Sequence, residues 1–254
     1  MSMPGSYANG FAPRDGQPLY QSLWSGCAAA WAPCLGPSGG TLRDWSGAAI
    51  NGIASGGPTF GVNGGRYAAT LDGTAGKFDL PSSFNVGVPL SISYWVFRTK
   101  SGVDQSHIDL EAGANSWTVG NTSGNSLLFQ KGGVVFLPSF IPLAASTWVH
   151  VVWTVDFDNK PTLWVNGNLV FTSSNTASLT TTSRINAIGA GTFFAFFGGS
   201  LDDIRIYRRI LRPNEINILK SCRGIAYEIA PRRRSSVQVV TGNRRRRLLI
   251  GASS

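Results

Sequence analysis

The sequence is poor in the residues that catalysis and metal binding draw on. Its 254 residues include only two His and three Cys. Cys27, Cys34 and Cys222 match no zinc spacing, and no His stands close enough to complete one. The thiols admit two readings: a Cys27–Cys34 bridge around a Pro-containing turn, or three thiols in a reducing compartment. Phosphate-loop, HExxH and dinucleotide signatures are all missing. No apolar run approaches the ~20 residues of a membrane helix, and the run Cys27–Ala32 is stopped by Pro33. The first residues carry no basic stretch followed by an apolar one, so no secretory signal is expected; Arg14 and Asp15 stand where its apolar core would lie. Repeats of about 20–50 residues are missing too.

What is present is charge of one sign, in one place. The net charge of +9 invites a nucleic-acid reading. Residues 223–254, however, hold eight Arg and one Glu, whereas residues 1–222 hold 14 Lys+Arg and 12 Asp+Glu. The basic character is a tail. Its clusters, Arg232, Arg233 and Arg234 and then Arg244, Arg245, Arg246 and Arg247, offer bidentate forks for phosphates or carboxylates. After Arg232 there is no Phe, Tyr, Trp or His to read bases, so sequence-specific nucleic-acid binding is not expected. Three readings stand for the tail: a solvated end, docking on an acidic protein surface, or non-specific phosphate binding. Val237, Val239 and Val240 between the clusters favour docking, since such a run can add a strand to an exposed sheet edge.

The 43% hydrophobic content supports a real core. Residues 1–21 read as an extended Gly/Pro/Ser arm, residues 22–222 as a domain, and residues 223–254 as the attachment tail. Within the domain, short runs of Val, Ile, Thr, Phe and Trp alternate with Gly, Asn, Ser and Pro clusters, the spacing of an all-β sandwich or barrel. Strands are predicted at Leu90–Arg98, Trp148–Val155, Thr162–Val165 and Leu201–Tyr207. In the first, Ile92, Tyr94, Val96 and Arg98 share one face, while Ser91, Ser93, Trp95 and Phe97 share the other. Asn166-Gly167 predicts a type I′ hairpin pairing Leu163–Val165 with Asn168–Val170. One helix is predicted from Pro213, through Glu215, Ile216, Ile218 and Leu219.

The order of motifs carries a resemblance. DWSG at Asp44 is followed by LDGTAGKFDLPSSFNVGVPLSISYWV, STWVHVVWTVD, LWVNGNLV and finally GSLDDIRIYRRILRPNEI. Over residues 22–220 this resembles the LamG-like branch of the concanavalin A-like lectin/glucanase fold, with a looser resemblance to such proteins encoded in bacteriophage genomes. The resemblance implies a two-sheet antiparallel jelly-roll sandwich whose GSLDDIRIY strand closes beside the first strand. It places Trp95, Trp148 and Trp164 at aromatic core positions and His150 as a structural histidine. It also implies calcium, bound by Asp44 and Asp202. Ala48, Ala49 and Ile50 depart from the polar stretch that relatives carry after DWSG, which removes oxygen ligands; Asp44 is otherwise a turn former and Asp202 a strand charge paired with Arg. No other cofactor is implied.

Laminarinase-type hydrolases of this fold carry E-x-D-x-E on one strand face. Here the run His107-Ile108-Asp109-Leu110-Glu111 has an imidazole where the nucleophilic carboxylate belongs, so no catalysis is expected. Three functions are weighed. The first and preferred one is a structural or adhesive phage virion surface protein, a capsid decoration or fibre component. It would assemble in the host cytoplasm and be held by its arms against a capsid or tail subunit or further copies of itself. The second is a carbohydrate-binding module for host or environmental glycans, with Trp117, Tyr94 or the Phe193–Phe197 run stacking on sugars. The third is a degenerate glycosidase. Phe193, Phe194, Phe196 and Phe197 are an expected interface, because alternation exposes one side of a Phe-rich run.

Overall fold

A computed structural model describes residues 21–35, 40–81, 84–110, 117–131, 134–135, 141–177, 179, 185–191 and 194–221. The arm before residue 21 and the Arg tail from residue 222 lie outside them, as do Phe193 and Glu111. The described strands are β1 (Cys27–Trp31), β2 (Thr41–Leu42), β3 (Gly52–Ser55), β4 (Thr59–Asn63), β5 (Arg66–Asp72) and β6 (Lys77–Asp79). They continue with β7 (Leu90–Arg98), β8 (Gln105–Leu110), β9 (Trp117–Asn121), β10 (Leu127–Lys131), β11 (Val134–Val135) and β12 (Trp148–Val155). The last are β13 (Pro161–Val165), β14 (Asn168–Thr172), β15 (Ile185–Ile188), β16 (Ala195–Phe196) and β17 (Gly198–Tyr207), followed by helix α1 (Pro213–Ser221).

They build two sheets. Sheet I runs β14-β13-β12-β7-β17-β5-β4, and sheet II runs β11-β10-β9-β8-β15-β6-β3-β2. Pairing is antiparallel except for the short contact of β16 with β8. In sheet I the long β17 lies against β7 on one side; on the other its first half pairs β5 and its second half pairs β1. The first strand thus closes beside the last, as the resemblance implied. The switch of partner coincides with a bulge between Asp202 and Arg205, where Asp203 takes a φ of 45°.

The core lies between the sheets. The alternation expected of β7 holds: Leu90, Ile92, Tyr94 and Val96 enter the inter-sheet core with Trp31, Phe78, Phe129 and Trp153. The opposite face of β7, with Ser91, Ser93, Trp95 and Phe97, is buried too. A strand of sheet I is therefore covered on both sides. α1 supplies part of that cover, laying Ile216 and Leu219 with Leu23 and Leu211 against Val152 and Tyr207. Its start follows the expected chemistry: Pro213 opens the helix and the Glu215 carboxylate accepts the Arg212 N–H at 2.8 Å.

Two expectations shift at this level. Trp164 packs on the α1 side of sheet I, and Trp95 and Trp148 lie beneath the Arg66 guanidinium at 4.5 and 5.9 Å to the ring centroids. These tryptophans belong to the outer layer of sheet I, while Trp153 fills the inter-sheet core. The reason is register: Trp153 stands opposite the core residue Ile92, and His150 opposite Trp95. The hairpin at Asn166-Gly167 forms with φ of 50° and 80°, the two positive values a type I′ turn requires. Its pairing slips after two residues, because Leu163 faces Phe171 and leaves Val170 in a bulge.

Candidate functional site

The predicted site residues scatter. Asp44 is buried in its own turn: Oδ1 accepts the N–H groups of Ala30 and Ser46 at 2.9 and 2.8 Å, and Oδ2 accepts Ser46 Oγ and Ile50 N–H at 2.8 and 3.0 Å. Four donors occupy this carboxylate, so it acts as the turn former. Asp202 Oδ1 instead accepts the Cys34 N–H at 2.8 Å. Among the described residues no three His, Cys, Asp or Glu side chains converge as metal ligands. The donor set does not fit calcium, a cation that needs six or more oxygens. Cys27 and Cys34 are thiols and form no bridge with each other; burial pushes the Cys27 thiol up to about 12.

The hydrolase-like run is broken by a bulge. The β8–β9 register shifts between Ser106 and Ile108, so His107 and Asp109 do not share a face. His107 turns into the core, bonded to Tyr94 Oη and Asn121 Oδ1, each at 3.0 Å, with the Phe197 ring 4.6 Å away. Burial lowers its pKa to about 4, leaving a neutral structural imidazole. Tyr94 is equally interior and unavailable for stacking on a sugar. His150 has the same character: Nε2 meets Ser93 Oγ at 3.0 Å, and burial lowers its pKa to about 3.

Asp109 faces outward instead, into a cleft of about 290 Å³ on the outer surface of sheet II. Lys77 and Asp79 of β6, Asn186 and Ala187 of β15, Ala190 and Gly191 of the following loop, and Phe196 complete its lining. Register builds it. Ala187 stands opposite Asp79 on one side and Asp109 on the other. The two carboxylates thus flank a methyl group across three strands, their Cα atoms about 10 Å apart. A large residue at 187 would fill the floor. Next to it the β15–β8 register shifts between Ile185 and Ala187, leaving Asn186 as the bulged residue. Its Nδ2 is a buried amide donor with no hydrogen-bond partner among the described residues. Lys77 Nζ sits 2.6 Å from Asp79 Oδ1 at the cleft's edge. Gly191 passes so close that an added Cβ would lie 2.8 Å from Ser106 Cβ and 3.2 Å from Asp109 Oδ1.

The Phe-rich run divides as alternation dictates. Phe197 is fully buried against His107, whereas Phe194 and Phe196 are half-buried and Phe196 forms a wall of the cleft. Phe197 therefore belongs to the core and not to an interface. Of the sequence candidates, Asp109 and Phe196 meet here. Lys77, Asp79 and Asn186 carried no sequence signal; each is an ordinary polar residue in a strand until its neighbours are known.

The profile of the Concanavalin A-like lectin/glucanases superfamily matches residues 72–217. The chain belongs to this superfamily. No curated protein matches the chain. Among solved structures it is similar to domain 4 of AbnA, a GH43 extracellular arabinanase from Geobacillus stearothermophilus, in complex with arabinotriose. That likeness has a TM-score of 0.63 at 19% identity, covering 76% of this chain and 98% of that domain. It is similar to a mutant of Trypanosoma rangeli sialidase displaying trans-sialidase activity, with a TM-score of 0.60 at 15% identity, covering 80% of this chain. The match spans 34% of the sialidase. The binding domain of Paraclostridial Mosquitocidal Protein 1 is also similar, with a TM-score of 0.56 at 16% identity, covering 78% of this chain and 52% of that one. At these identities the likeness is one of fold.

Proposed function

We propose that the chain is a non-catalytic glycan-binding β-sandwich and that the Lys77–Asp79–Asp109–Asn186–Phe196 cleft is its site. The observation that carries this reading is the Asn186 amide, a buried donor without a hydrogen-bond partner among the described residues, at the wall of a cleft lined by two carboxylates. Unpaired buried donors are uncommon and costly, and a ligand hydroxyl answers one. Carboxylates and an amide suit sugar hydroxyls, and the half-buried Phe196 ring suits the apolar face of a pyranose or furanose. The volume accommodates one or two sugar rings. The likeness to an arabinanase domain in complex with arabinotriose supports testing arabino-oligosaccharides first.

The test is titration of arabino-oligosaccharides and sialosides, followed calorimetrically, after a glycan array. Asn186→Ala and Phe196→Ala are each expected to weaken binding about tenfold, the worth of one hydrogen bond or one stacking contact. EDTA leaves binding unchanged, and no reducing ends accumulate. An array silent with and without EDTA removes the reading, as does binding that ignores both substitutions.

A second reading concerns where the module is displayed. The concentration of positive charge in residues 223–254 favours a virion surface component, assembled in a host cytoplasm and held to a capsid or tail subunit by that tail. Glycan binding and virion attachment are compatible, since they use different parts of the chain.

A further inference from the structure

We propose that the cleft selects its glycans by charge: it takes uncharged sugars and those bearing a free amine, and turns away sialylated, uronic and sulfated ones. This rests on the glycan-binding reading above and names the ligand class of that same site. Among the described residues that line the cleft, the charged ones are Lys77, Asp79 and Asp109, one cation against two carboxylates. The cation is already engaged. Lys77 Nζ lies 2.6 Å from Asp79 Oδ1, and the two side chains are 31% and 46% exposed, so water screens what the pair leaves over. A ligand carboxylate or sulfate is recognised by an Arg or Lys aimed at it. Here Lys77 would have to leave Asp79 to play that part.

Asp109 decides the sign. It is only 4% exposed, and the loop closes over it at Gly191, where an added Cβ would lie 3.2 Å from Asp109 Oδ1. Salt and water screen such a buried charge least. Ala187 stands opposite Asp79 on one side and Asp109 on the other, so a ring resting on its methyl group has a carboxylate-bearing strand on each flank. Each of those strands is about 5 Å away. An anionic substituent there meets like charge from both sides. A hydroxyl or an ammonium donates to the same oxygens. The Asn186 amide supplies the complementary donor without adding charge, and a hydroxyl or ring oxygen accepts from it. The Phe196 ring works in the same direction, because an aromatic face attracts a cation and not an anion.

A glycan array of neutral, amine-bearing and acidic congeners, read with the full-length chain, tests the proposal. The quantity followed is the affinity for an acidic glycan divided by that for its neutral congener. This ratio is expected to be about one tenth or less, and to rise toward one at high salt. In Asp109→Asn it is expected to rise about tenfold, a change that mere loosening of the site would not produce. If Asp109→Asn fails to fold, Asp79→Asn on the more exposed flank carries the same comparison, since it removes a carboxylate and frees Lys77. Acidic glycans that bind as tightly as their neutral congeners, and lose binding in Asn186→Ala, overturn the selectivity and leave the glycan reading standing. An unchanged ratio in both Asp variants overturns it as well. Silence from every class, or binding that ignores Asn186→Ala, removes the glycan reading and the selectivity with it.

Discussion

His107 illustrates how far a residue can differ from the motif it sits in. In the sequence it occupies a hydrolase-like nucleophile position; in the fold it is a neutral hydrogen-bonding group between Tyr94 and Asn121. Burial sets its pKa near 4 and that of His150 near 3, against 6.5 in the unfolded chain. Below pH 6.5 the unfolded chain therefore binds protons that the native state refuses, and stability falls with pH. The contribution is fully present above about pH 6.5 and is lost as pH drops through the folded values, on the order of 3 kcal/mol for His107. Urea unfolding at pH 7 and pH 4.5 checks this. The native chain is expected to lose several kcal/mol between the two, and His107→Gln distinctly less; equal losses would contradict the linkage. No periodicity argument reaches this assignment. The bulge that turns His107 inward depends on how β8 meets β9.

Elements were more legible than single side chains. β7 and β12 coincide with their predicted spans, and the helix begins at Pro213 as its capping residues require. The Asn166-Gly167 turn was readable because a type I′ turn needs two positive φ values, which Asn and Gly tolerate. The same turn is also a contact point, since Gly167 has a φ of 80° and lies under Asn217 and Lys220 of α1. Gly167→Ala meets both strain and collision, and a cost of roughly 1–3 kcal/mol is expected. A thermal melt checks it: the midpoint drops by several degrees, while an unchanged midpoint would mean that α1 yields without cost. The slip at Val170 was not legible, since nothing in Asn168–Thr172 announces a bulge.

At the scale of the molecule, the central strands of sheet I are covered on both faces, and the outer surface of sheet II carries the cleft. α1 and the turn at Gln21–Leu23 cover part of the far side of sheet I, and Arg209 ties them together. Its guanidinium donates to Ser22 O and Ser25 O at 2.6 and 2.5 Å and to Glu215 at 2.7 and 2.8 Å. The charge division gives the whole-chain prediction. On the virion-attachment reading proposed above, removing residues 223–254 is expected to leave the sandwich folded, with near-native circular dichroism, and to abolish incorporation into particles. Normal incorporation of the truncated chain would end the attachment reading, whatever becomes of the cleft.

The sequence by itself determined the fold class, the principal strands and helix, the type I′ turn and the placement of positive charge at one end. Those features rest on local rules: the two-residue pleat, the φ preferences of Asn and Gly, helix capping and the charge of each side chain. Only the tertiary structure decided that Asp44 is occupied by its own turn, that Trp95, Trp148 and Trp164 lie outside the inter-sheet core, and that Lys77, Asp79, Asp109, Asn186 and Phe196 share a cleft. The cleft draws on β6, β8, β15 and β16, and its members meet through inter-strand register and one bulge. Both are set by which strands become neighbours, a long-range outcome that no window along the chain contains.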